Sequence, residues 1–244
     1  RWQGASGGMA TWFLRELLLS DIVDHVICVT PNADPDRLFR FEIISDPGDL
    51  LRSAKSAYYP VELSDVLRTV REKPGRYAAI GLPCFVKAIR FAATRNLKIR
   101  DRVLVLAGLT CGQLKTRGFG ESLAQRMELP PEEITRLCFR EKAHDRCATN
   151  FSITASGERL NGTIEWNGYC VMAWMTGMFK IRSCDYCDDA YSELADISFM
   201  DAWLPEYSEV SEGTSIVITR SALAEAIIRN KGIGTGTCTL KPIP

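Results

Sequence analysis

The opening segment of the chain changes period. Met9, Trp12, Phe13, Leu17 and Leu18 recur at helical spacing, and residues 26–29 form a short β-prone run after the connection at 21–25. That predicts a helix feeding a strand. The polar connection PNADPDRL leads to a second strand candidate, FRFEIIS. DPGDLLRSAKSAYYP then reads as a turn, a short helix and a tyrosine-rich loop, and VELSDVLRTVREKPG as a helix closing at Gly75.

From Tyr77 onward the pattern sharpens. YAAI is a buried-strand candidate, GLPC a loop, and FVKAIRFAATRN an amphipathic helix with Phe85, Ala88, Ile89 and Ala92 on one face. RVLVLAG is a second continuous apolar strand, followed by the loop LTCGQLKTRG and the helix FGESLAQRM. This β-α-β-α order predicts an α/β fold, α+β overall, with a mostly parallel sheet and crossover helices. Beyond Pro130 and Pro131 the texture becomes richer in β. NFSITASGERLNGTIEW reads as a hairpin around Ser156 and Gly157, ADISFMDAW and TSIVITR as further strands, and SALAEAIIRN as a helix stopped by Gly232.

Composition narrows the class of protein. With 244 residues, 46% of them hydrophobic, the chain can bury a real core in one large or two small domains. Thirty basic and thirty acidic residues balance, which removes any general argument for nucleic acid or an anionic membrane surface. The apolar stretch WNGYCVMAWMTGMF is too short to span a bilayer, and no signal-peptide pattern opens the chain, so a soluble, cytoplasmic protein without a membrane span is expected. The first residue is Arg1, so a portion of something longer is equally compatible.

Nine cysteines without secretory features argue against a disulfide framework and raise the prospect of cofactor ligands. Cys184 and Cys187 form a Cys-x-x-Cys pair. Cys84 and Cys111 each sit just beyond the carboxyl end of a predicted parallel strand, where open α/β sheets bind ligands. Four thiolates are the count for a [4Fe–4S] cluster or a structural zinc, while small buried core cysteines are the plainer alternative. Only His25 and His144 are present, which argues against a histidine-rich zinc or copper site.

Two further segments suit an anionic or aromatic ligand. Ser6, Gly7 and Gly8 directly precede a helix, with Thr11 one turn in, so backbone N–H groups there could receive a phosphate or simply be capped. In SAKSAYYP, Lys55 and Ser56 suit anionic groups, and Tyr58 or Tyr59 could lie against a ring system. Lys115 and Arg117 follow Cys111, and Arg140 and Lys142 lie in FREKAHDR; such groups would help to bind an anionic coenzyme or else form solvated surface. No nucleophile elbow, Walker loop, zinc-protease helix or dinucleotide fingerprint occurs.

Taken in order, SGGMAT, SAYYP, GLPCFVKAIR, GLTCGQLKTRG, CDYCDDAYSELADISFMDAW and GTSIVITR resemble the coenzyme F420 hydrogenase/dehydrogenase beta-subunit family, over nearly the whole chain. The resemblance implies an FAD- and iron–sulfur-dependent oxidoreductase that passes electrons between a hydride-carrying partner, reduced coenzyme F420 or similar, FAD and a [4Fe–4S] cluster. By the same comparison Cys84, Cys111, Cys184 and Cys187 match the cysteine motifs and are the expected cluster ligands. The segments from Ser6 to Thr11 and from Lys55 to Tyr59 match regions expected to line the flavin site. The family usually has glycine before the Asp-x-Trp of its last cysteine block, where this chain has Met200 before Asp201. A redox partner protein or subunit is implied, and residues 1–75 and 76–244 would be a flavin-binding portion and an iron–sulfur and flavin-binding domain, or one compact unit. A non-catalytic electron-transfer or scaffold subunit and a zinc-stabilised α/β domain are the rival expectations.

Overall fold

The structure, a computed structural model, describes residues 1–243. Helix α1 (Met9–Leu19) leads into strand β1 (His25–Pro31), and β2 (Phe39–Ile44) turns back antiparallel to it. Helix α2 (Ser64–Glu72) precedes β3 (Tyr77–Gly81). Helices α3 (Pro83–Arg95) and α4 (Leu97–Arg102) then cross over to β4 (Val103–Leu109). After α5 (Arg117–Arg126) the chain builds a second, antiparallel sheet from β5 (Arg136–Glu141), β6 (Ser152–Ser156) and β7 (Asn161–Glu165). Helix α6 (Gly168–Met175) brings it back to the main sheet, which β8 (Ile197–Asp201), the short α7 (Pro205–Ser208) and β9 (Ser215–Thr219) complete. Helix α8 (Ala222–Ile227) continues as a wider π-type turn to Ile233.

The main sheet has the order β2-β1-β3-β4-β8-β9; β1, β3, β4 and β8 are mutually parallel, with an antiparallel strand at each edge. Its strands come from both sides of position 75. The continuous apolar runs of the central strands follow from burial on both faces. Ala78, Val105 and Ala107 pack with Phe13, Leu14 and Leu17 of α1 and with Ile227 of α8, whereas Tyr77, Ala79 and Leu106 face Val66, Val70, Val86, Ile89 and Ile99 of α2, α3 and α4. A third core joins α5 and α6 to the small sheet through Phe119, Leu123, Phe139, Ile153 and Ala173.

Three local expectations change. The loop read at GLPC is shorter than its letters suggest: Pro83, which has no N–H to lose, opens α3 and places Cys84 in its first turn. Val86 takes the buried place on that helix, and Ala88 is exposed. Gly232 does not stop the last helix, because the chain needs its missing side chain elsewhere: a Cβ there would stand 2.5 Å from Cys238 Sγ and 3.1 Å from the Trp12 ring.

One ion pair fixes the entry to β1. Arg76 donates to Asp24 from its backbone N–H at 2.7 Å and from its guanidinium at 2.6 and 3.2 Å, and also reaches the Asp21 carboxylate at 2.7 Å. The Arg76 guanidinium, then its backbone N–H, holds the Asp24 carboxyl down at about 2. Its unfolded value is near 3.9, so this contribution is complete above that pH and fades as pH falls toward the folded value. In urea unfolding measured from pH 6 to pH 2, the stability gap between wild type and Asp24→Asn should therefore shrink toward zero at the acid end.

Candidate functional site

The carboxyl ends of the parallel strands open into a cavity of about 700 Å³. Its floor is made by Ile80 and Gly81 of β3, Leu109 of β4 and Phe199 to Asp201 of β8, the position at which open α/β sheets receive ligands. One wall is the amino-terminal segment with the first turn of α1 and the loop from Ser53 to Tyr59. Arg140, Phe151, Trp166, Trp174 and Trp203 adjoin that loop and complete the lining. Of the residues expected from the sequence, Ser6, Gly8, Thr11, Lys55, Ser56, Tyr58, Tyr59 and Cys111 line this space. Gly7, Cys84, Lys115, Cys184 and Cys187 do not.

The helix end that faces the cavity is bare. Gly8 caps α1 in the left-handed region (φ 83°) that glycine tolerates, and no side chain caps it. The hydroxyl of Ser6 is committed elsewhere, donating to Thr214 O at 2.7 Å. The first turn holds no acidic residue, so its N–H groups and the positive end of the helix dipole are left for a ligand. Gly7 serves packing. A Cβ there would lie 2.6 Å from the backbone nitrogen of Ser215, whereas one on Gly112 would meet nothing within 4 Å. Gly7→Ala should therefore lose about 1–3 kcal/mol in chemical denaturation, and Gly112→Ala less than about 0.5.

Three cations converge at this end. Arg140 is 4% exposed, and its Nη1 donates to Asp201 Oδ2 at 2.7 Å. Its guanidinium lies 4.6 Å from the Phe151 ring centroid and 5.6 Å from that of Trp203. The Nε–H of Arg140 has no partner. Lys55 Nζ donates to Arg140 O at 3.0 Å and Glu141 Oε2 at 3.3 Å. Lys142 ties the amino-terminal segment down by donating to Arg1 O, Ser6 O and Glu212 O at 2.9, 2.6 and 2.6 Å. Burial, then the charges of Lys55 and Arg140, pulls the Lys142 amine down to about 8. Tyr58 contributes aromatic wall, its ring centroid 4.8 Å from Trp174 and 5.4 Å from Phe139, while Tyr59 packs against Phe39 at 5.5 Å.

Cys111 brings the loop after β4 to the cavity. Its backbone N–H donates to Ala190 O at 2.9 Å, anchoring the loop after β4 to the segment that follows the Cys-x-x-Cys turn. Leu114 N–H donates to Cys184 Sγ at 3.3 Å. Burial, reinforced by Cys84, Cys184 and Cys187, pushes the Cys111 thiol up to about 12. Burial likewise raises Cys84, with Cys184 and Cys187 adding to it. Cys84 and Cys111 therefore each lie within electrostatic reach of the other three cysteines, although among the described residues no three His, Cys, Asp or Glu side chains stand close enough to hold a metal ion. The raised thiols of Cys84 and Cys111 are groups that a cation would deprotonate, because metal binding and loss of the thiol proton go together. The donor set fits a thiolate-ligated metal group.

Lys115, expected to meet an anionic ligand, is fully buried, and its ammonium commits its donors to Gln113 Oε1, Ala173 O and Met178 O. In the sequence Arg140 is one basic group among several, and no local pattern marks Asp201 as its partner. Among the described residues, no helix is long and apolar enough to cross a membrane.

Residues 1–68 match the N-terminal family model of the coenzyme F420 hydrogenase/dehydrogenase beta subunit, and residues 75–244 match its C-terminal counterpart. A chain of the F420-reducing [NiFe] hydrogenase complex from Methanosarcina barkeri, solved as a xenon derivative, superposes with a TM-score of 0.69 at 19% identity, over 96% of this chain and 75% of that one. The curated proteins include no match.

Proposed function

Because the chain belongs to the coenzyme F420 hydrogenase/dehydrogenase beta-subunit family, a family of redox subunits, we propose that it is an oxidoreductase subunit that binds FAD in the cavity and a [4Fe–4S] cluster at Cys84, Cys111, Cys184 and Cys187. The observation that supports this reading is the continuity of the two regions: Cys111 lines the cavity, and its loop is hydrogen-bonded to Ala190 O and Cys184 Sγ of the Cys-x-x-Cys segment.

When bound, FAD supplies the exchange between a two-electron hydride carrier and a one-electron iron–sulfur centre. The chain's own residues divide the rest of the task. The bare turn of α1, Lys55 and the free Nε–H of Arg140 suit the anionic diphosphate of the cofactor. Tyr58, Trp166 and Trp174 provide aromatic faces for a planar ring and keep water from it. Cys187 is exposed, so the cysteine site has a side from which a partner protein can exchange electrons. A deazaflavin such as reduced coenzyme F420 is the proposed hydride donor, in keeping with the family.

Anaerobic mixing with reduced F420 tests the assignment. The bound flavin should bleach within the mixing experiment. Bound flavin that neither F420 nor a nicotinamide donor reduces would turn the assignment toward a purely electron-transferring subunit.

A further inference from the structure

Lys115 touches nothing in the cavity, yet its contacts join the cavity's cover to the cysteine loop. Its Nζ donates to Gln113 Oε1 at 2.9 Å, Ala173 O at 3.1 Å and Met178 O at 2.7 Å, so all three ammonium donors are used. The charge also lies 4.9 Å from the Trp174 ring centroid. It therefore sits at the carboxyl end of α6, where unpaired carbonyls and the negative end of the helix dipole favour a cation. Gln113 strengthens the same tie, donating from Nε2 to Trp174 O at 2.8 Å.

Helix α6 covers the cavity through Val171, Trp174 and Met175. Glycines in the left-handed region bracket it, Gly168 (φ 41°) and Gly177 (φ 73°), and a Cβ on Gly168 would meet nothing within 4 Å. Phe179, just beyond, is held at φ 60°, a conformation that costs a non-glycine residue about 1–2 kcal/mol. Contacts from the cysteine loop sustain it: Thr116 N–H donates to Phe179 O at 2.7 Å and Ile181 N–H to Leu114 O at 3.0 Å. One residue before Lys115, Leu114 N–H reaches Cys184 Sγ.

We propose that Lys115 is a positioning residue that couples the two cofactor sites: ligation of metal by the cysteines fixes the loop of Cys111 and, through Lys115, fixes α6 over FAD. The inference rests on the flavin and cluster reading above. Coupling of this kind is reciprocal, each ligand tightening the other by the same factor. Its two ends are Trp174 and Cys184, which are joined through a single buried side chain and its amide neighbour.

The test is the FAD dissociation constant, measured by flavin fluorescence on the full chain. It is measured once after anaerobic reconstitution with iron and sulfide, and once after chelation under reducing conditions. In the wild type, iron loading should tighten FAD by about tenfold, within the usual range of coupling between sites. In Lys115→Met the ratio should fall to about one, and Lys115→Arg, which keeps a charge and several donors, should restore part of it. Gln113→Ala removes the neighbouring tie with less disturbance and should reduce the ratio if Lys115→Met does not fold. Hydrogen exchange of the α6 amides supplies a readout without flavin: iron loading should protect them in the wild type and not in the variants. A wild type that binds both groups independently, or a ratio unchanged in Gln113→Ala and in any folded Lys115→Met, overturns the coupling alone. A chain that takes up no iron overturns the coupling together with the cluster assignment, and protection of α6 by iron without FAD binding overturns the coupling to flavin and leaves only a link from the cysteines to α6.

Discussion

Replacing Cys111 with serine is expected to abolish iron incorporation while leaving the chain folded. A serine hydroxyl does not ionise near neutral pH and is a poor partner for iron beside three thiolates. Cys111 is the one of the four cysteines that lines the cavity, and its backbone N–H ties its loop to Ala190 O beyond the Cys-x-x-Cys turn. The fall in metal affinity should exceed the 10- to 100-fold typical of changes outside the ligand set. Cys28 is the control. It also lines the cavity, but it is buried in β1, with Ser53, Glu42 and Arg52 as its electrostatic neighbours. Cys28→Ser should keep its iron. Iron and sulfide analysis after anaerobic reconstitution, with far-ultraviolet circular dichroism to check folding, reads both variants.

Arg140→Gln is expected to weaken both the fold and the flavin site. Removing the guanidinium leaves the Asp201 carboxylate without its partner in a pair whose arginine side is 5% exposed and whose aspartate side is 26% exposed. Breaking a fully buried pair costs about 3–5 kcal/mol; partial exposure of Asp201 places this one near the lower end, at about 3. Because much of that loss is the stranded charge, Arg140→Gln/Asp201→Asn should recover a large part of it in urea unfolding. FAD affinity should not recover. Losing one charge-assisted hydrogen bond costs about 1.5–3 kcal/mol, or roughly 10- to 100-fold, and riboflavin, which lacks the diphosphate, should be affected far less. Equal losses for FAD and riboflavin would move Arg140 from the diphosphate to the ring.

The central sheet was legible because β3 and β4 are covered on both faces: Ala78 and Val105 face α1, Tyr77 and Leu106 face α2 to α4, and the resulting apolar runs have no simpler explanation. The strand-end placement of Cys111 was legible for the same reason. Strand β5 was not, since Leu137, Cys138, Phe139 and Arg140 are all buried, and a buried arginine within such a run mimics a surface charge. Its meaning depends on Asp201, 61 residues away, beyond any local pattern. The place of Lys115 was hidden for a related reason: its acceptors Ala173 and Met178 are brought to it only by the return of the chain through α6. The departure at Met200 also gains a place. Met200 lines the cavity and pairs with Ile216 of the edge strand, and the Asp201 carboxylate beside it serves Arg140.

Whether this one chain holds both cofactors is the question on which the functional assignment turns. An anaerobic visible spectrum of the purified protein, followed by acid denaturation and analysis of flavin, iron and sulfide, should show overlapping flavin and iron–sulfur absorption, released FAD, and iron and sulfide in equal amounts. A colourless protein that contains neither flavin nor iron and resists reconstitution with both, or one that holds a single zinc in their place, would contradict it.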